Sequence, residues 1–110
     1  MWKNKLRETT KKTRTVLFSE AVTSRSVQGA IQQLLALEAD DPKKQITLLL
    51  NSPGGSVDSG YALVDVIRFM KPPLRVVSMG LVASMGISIL LSVEKKQRFS
   101  LPNTRFMLHQ

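Results

Sequence analysis

ITLLLNSPGGSVDSGYALVDVIRFMKPP, residues 46–73, is the stretch whose reading decides the fold. Residues 46–50 are too few for a helix and have the β-prone, apolar character of a strand covered on both faces. Pro53, Gly54 and Gly55 then mark a turn. Beyond it Val57, Tyr61, Val64, Ile67, Arg68 and Met70 trace a helix, which Pro72 and Pro73 end. A strand that passes through a glycine turn into a helix is half of a crossover unit, and it predicts an α/β arrangement with parallel strand pairing.

The flanking sequence repeats that logic. Upstream, Val27, Ala30, Ile31, Leu34 and Leu35 recur at the spacing of one helical face, predicting a helix over about residues 25–39. Thr23, Ser24 and Ser26 are its candidate N-caps, and Asp40, Asp41 and Pro42 stop it. A short strand is expected at residues 16–18. Downstream, residues 74–79 read as a strand that Gly80 breaks, and an apolar helix with Ile87, Leu90 and Leu91 begins near Ser84. Two short β-like pieces, residues 98–101 and 105–108, follow on either side of Pro102 and Asn103. Residues 76–93 are uncharged over 18 positions, the lower limit for a membrane span, but Ser78, Gly80, Ser84, Gly86, Ser88 and Ser92 favour a soluble core segment with no membrane partner.

The chain has 110 residues, one domain or part of one. Its 43% hydrophobic and 22% charged residues are those of a globular protein. The absence of cysteine excludes a disulfide scaffold, a zinc-thiolate site and a thiol nucleophile, and it fits a reducing compartment such as the cytoplasm. The net charge of +8 is concentrated in residues 1–14, where six basic residues face one acidic residue, leaving +3 for the rest. This segment reads as a solvated, poorly ordered basic arm, with the body of the domain starting at residue 15. Aromatic residues make up 5% of the chain, which gives little support to stacking on single-stranded nucleic acid, so no nucleic-acid partner is expected. No apolar export signal opens the sequence.

Three elements have chemical potential. The loop Ser52-Pro53-Gly54-Gly55 can present bare N–H groups as an oxyanion cradle, although a tight strand-to-helix turn is the commoner use of such a pair. In GLVASMG, residues 80–86, Ser84 sits between small residues at a strand-to-helix turn, as nucleophiles do; taken alone it reads as an ordinary N-cap serine. His109, the only histidine, could serve as a general base, with a structural role as the default. No cluster of His and carboxylates has metal-ligand spacing, so neither metal nor other cofactor is expected.

Taken together, NSPGG, ASMG and the LPN-x-R-x-M-x-HQ ending, in that order and spacing, resemble the proteolytic subunit of the Clp protease, ClpP, over roughly residues 15–110. The resemblance implies a ClpP/crotonase-like fold, a repeated β-β-α spiral of which only the N-terminal portion is present. It implies a serine endopeptidase that cleaves unfolded polypeptides fed to it by an AAA+ ATPase unfoldase, inside homo- or hetero-oligomeric rings of seven stacked as tetradecamers. Ser84 then matches the nucleophile and His109 the general base, while Gly55 and Met85 match the oxyanion-hole amides. The segment formed by Ser52, Pro53, Gly54, Ser56 and Val57 is placed to pair with an extended substrate strand.

The sequence also departs from the family pattern. Leu81 stands where Gln is usual, and Leu17-Phe18-Ser19 replaces an L-x-G. The family's triad Asp and ring-stacking handle lie downstream of Gln110, so the chain is expected to be an excerpt or truncated product with poor activity as it stands. A non-catalytic structural subunit of a mixed ring is the alternative. An acyl-CoA enzyme of the same fold leaves the Ser84 and His109 pair unexplained.

Overall fold

A computed structural model describes residues 2–108, with side chains from residue 4 onward. The order is α1 (Trp2–Thr13), β1 (Thr15–Ser19), α2 (Ser24–Asp40), β2 (Ile46–Ser52), α3 (Val57–Phe69), β3 (Leu74–Ala83), α4 (Met85–Leu90), a 3-10 turn (Lys95–Gln97), β4 (Arg98–Ser100) and β5 (Arg105–Met107). The strands form one sheet in the order β1-β2-β3-β4, and β5 pairs β3 above β4. All pairings are parallel, as the crossover reading requires.

Alternation along each strand sets the core. Val16, Leu48 and Val76 lie opposite one another in register, as do Phe18, Leu50 and Ser78. This face packs against Val27, Ala30, Leu34 and Leu37 of α2, Leu63, Val64 and Ile67 of α3, and Met85 and Ile89 of α4. One helical layer therefore covers one face of the sheet. Among the described residues no helix is long and apolar enough to cross a membrane.

The capping of α2 follows its sequence. Thr23 accepts from Ser26 N, and the Ser26 hydroxyl accepts from Thr23 N, a reciprocal capping box. At the other end Asp41 Oδ1 accepts the backbone N–H groups of Lys43 at 2.9 Å and Lys44 at 3.2 Å. Those two bonds hold the Asp41 carboxyl below its ordinary pKa.

Two expectations are corrected here. The basic arm is a helix whose following residue is anchored in the body: Arg14 is buried and spends its guanidinium on the carbonyls of Leu37 (2.9 Å), Asp41 (2.8 Å), Lys44 (2.8 Å) and Gln45 (3.3 Å). These oxygens come from the end of α2 and the loop after it, where carbonyls with acceptor capacity to spare and the helix dipole attract a cation. Arg14 thus belongs to the packed domain, one residue before the boundary that charge alone had drawn. Second, β3 does not end at Gly80. Its pairing with β2 jumps from Leu50/Ser78 to Ser52/Val82, a bulge that adds two residues to β3 and carries it on to Ala83. Asn51 fills this bulge: its Oδ1 accepts from Leu81 N at 3.1 Å and its Nδ2 donates to Ser19 Oγ at 3.0 Å.

Candidate active site

At the end of the bulged strand the chain turns into α4 through Ser84, whose φ of 52° and ψ of −118° belong to a region that favours glycine. The side chain makes no capping hydrogen bond and is exposed, so the N-cap reading of Ser84 gives way to a strained elbow that presents the hydroxyl. Met85 is the first residue of α4, and its N–H has no acceptor one turn earlier within the helix.

The glycine loop closes directly on this elbow. A Cβ placed on Gly54 would lie 2.8 Å from Ser84 Cβ, 2.9 Å from the Ala83 oxygen and 3.1 Å from Met85 N. Only a bare Cα, here at φ 95°, can come so near. The structure therefore brings together two of the three elements singled out in the sequence. Ser52 supports them from below: its hydroxyl accepts from Gly54 N at 3.1 Å, and its carbonyl oxygen lies 3.1 Å from where a Cβ of Gly86 would be.

A residue that sequence reading gave no role, Val22, braces the loop from the other side. Val22 N donates to Gly54 O and Ser56 N donates to Val22 O, both at 2.8 Å, a parallel bridge centred on Gly55. A side chain at Gly55 would run into the Val22 carbonyl. In a parallel bridge of this pattern the amide and carbonyl of Gly55 itself point away from Val22, and Gly55 is exposed. Val22 left no sequence signal beyond one apolar residue in a polar turn.

The remaining expected binding residues divide between jobs. Ser52 is paired with Val82 inside the sheet, Ser56 caps α3 by accepting from Ser59 N, and Val57 opens that helix. Gly54 spends its N–H on Ser52 Oγ and its carbonyl on Val22 N, and Ser56 spends its N–H on Val22 O and its carbonyl on Gly60 N, so between them the N–H and carbonyl of Gly55 are the groups left facing away from the brace. His109 lies outside the described residues. The described chain before it includes β5, which runs beside β3 with Ala83 opposite Met107, and Ser84 N donates to Met107 O at 2.8 Å. Among the described residues no group of three or more His, Cys, Asp or Glu is arranged to hold a metal ion.

A family model described as Clp protease matches residues 2–110 of this chain. The ATP-dependent Clp protease proteolytic subunit 2 of Treponema pallidum (strain Nichols) is 45% identical over 98 residues, covering 89% of this chain and 49% of that protein. A ClpP1 from Listeria monocytogenes superimposes with a TM-score of 0.88 at 44% identity, over 100% of this chain and 62% of that one. A mutant of the Listeria ClpP1 matches with the same TM-score at 43% identity, over 93% and 60% of the two chains. The chain thus spans about half the length of the Treponema relative.

Proposed function

The chain belongs to the Clp protease family, and from that premise we propose that it is a proteolytic subunit of serine type with Ser84 as its nucleophile. The observation that carries this reading is the strained, exposed elbow at Ser84 packed against the bare Cα of Gly54. Backbone strain of this kind costs about 1–3 kcal/mol and persists where the side chain it presents is used.

In the proposed reaction Ser84 Oγ attacks a peptide carbonyl and His109 accepts the hydroxyl proton, later returning it to the leaving amine. The amides of Gly55 and Met85 receive the oxyanion, each contributing roughly 3–4 kcal/mol to lowering the barrier. The pairing of Ser84 N with Met107 O supports the assignment of His109. Metal assistance is not part of the proposal. The substrate is an unfolded polypeptide held as an extended strand beside the Ser52–Val57 segment, with Gly55 offering it free backbone groups, so that backbone bonds supply affinity and side chains contribute little selectivity. The same proposal includes cytoplasmic rings of seven subunits, stacked in pairs and fed by an AAA+ unfoldase.

An active-site-directed fluorophosphonate tests the reading. The assembled protein is expected to be labelled at Ser84, with labelling lost in Ser84→Ala and strongly slowed in His109→Ala. An assembled protein that stays unlabelled would instead be a structural subunit of a mixed ring.

A further inference from the structure

Met85 follows the candidate nucleophile, and its side chain is 5% exposed. It is seated in a notch on α3 that exists because residue 60 has no side chain. A Cβ on Gly60 would overlap Met85 Cγ and lie 2.6 Å from Cε and 3.0 Å from Sδ. Gly60 is in the first turns of a 13-residue helix, where glycine is disfavoured relative to alanine. Its backbone is not among the positive-φ glycines, so the conformation does not call for glycine; the space does. Gly29 in α2 makes the contrast, since a Cβ there would meet nothing within 4 Å.

Met85 is held at both ends. Its side chain lies across Gly60 while its nitrogen faces Gly54, where a Cβ would come within 3.1 Å. The amide direction at residue 85 is therefore set by two close approaches, one to the glycine loop and one to α3. We infer that Gly60 is a positioning residue for the Met85 amide: the missing Cβ lets the Met85 side chain seat so that its N–H faces the developing oxyanion. The inference rests on the proposed role of Met85 and assigns α3 a part in the site beyond scaffolding. A side chain at residue 60 would lift Met85 at its Cγ, too close to the backbone for the flexible end of the side chain to absorb the shift. Met85 would then have to leave its buried seat, or α4 shift with it.

The test uses the full chain and compares Gly60→Ala, Gly29→Ala and the double variant Gly60→Ala/Met85→Ala. Gly60→Ala is expected to slow fluorophosphonate labelling of Ser84 about 10²-fold, the scale of losing or misplacing one oxyanion donor. In peptide hydrolysis the loss should fall on kcat with KM little changed. Gly29→Ala should label at the wild-type rate. Removing the colliding side chain in the double variant should recover most of what Gly60→Ala lost. In the ¹H–¹⁵N spectrum the Met85 amide signal should move in Gly60→Ala and keep its place in Gly29→Ala. Wild-type labelling by Gly60→Ala, an irreversible loss in the double variant, or an unmoved Met85 amide each overturns the inference. Failure of the wild type itself to label refutes the peptidase reading, whereas the Met85 amide still reports the coupling to Gly60.

Discussion

Ser84 donates its backbone N–H to the carbonyl oxygen of Met107 at 2.8 Å. This bond fastens the last described strand to the elbow that presents the Ser84 hydroxyl. β3 is consequently occupied along one edge in two stages, by β4 at Val76–Ser78 and by β5 at Leu81–Ala83. The strap between those stages is pinned by Leu101 N at 2.9 Å and the Thr104 hydroxyl at 3.0 Å, both donating to Ser78 O.

The conformation of Ser84 sets fold against chemistry. Ser84→Gly should relieve backbone strain and raise stability by about 1 kcal/mol, seen as a higher denaturant midpoint at unchanged slope. The same variant should lose all fluorophosphonate labelling. Ser84→Ala keeps the Cβ and should gain no such stability; an equal gain for both would contradict the strain at this residue.

Gly54→Ala should be damaging twice over. The new Cβ meets Ser84 and the Ala83 carbonyl at under 3 Å, and φ of 95° suits no residue with a side chain. A loss of about 1–3 kcal/mol in chemical denaturation is expected, together with loss of Ser84 reactivity in the fraction that remains folded. Retention of wild-type stability would mean that the loop and the elbow are not packed as described.

Arg14→Met keeps the aliphatic stem and removes the donors. The Leu37 carbonyl would keep the bond from Asp41 N but lose its buried, charge-assisted bond from Arg14, for a cost of about 1–3 kcal/mol. Arg14→Lys should recover only part of it, because a single ammonium cannot span carbonyls from Leu37 to Gln45. Thermal melts of the three proteins should fall in the order Arg, Lys, Met.

Ser78 offers the opposite sign. Its hydroxyl is fully buried without a hydrogen-bond partner. Ser78→Ala removes that unpaired group and should raise stability by about 1 kcal/mol, measured by urea unfolding. Destabilisation would show that the hydroxyl is satisfied after all.

Much of the fold was legible because its signals are local. The apolar spacing and Thr23 cap of α2, the short apolar run of β2 and the prolines that end α3 each lie within a few residues of what they determine. What escaped depended on distant partners. Residues 2–13 have no apolar stripe, and the burial of Arg14 after them depends on carbonyls 23–31 residues away. Gly80 looked like a strand end because the acceptor for Leu81 N belongs to Asn51, 30 residues earlier. In the candidate site, NSPGG and ASMG were visible as motifs, but the brace at Val22 and the notch at Gly60 emerge only when separate elements meet.

The twist at Ser84 also has a consequence on the timescale of descent. Glycine fits that backbone better than any bulkier letter, so serine there is a choice the fold alone would not make. On the proposed assignment of Ser84, a lineage that had abandoned hydrolysis would drift towards glycine, and retired copies could be told from working ones by that one position.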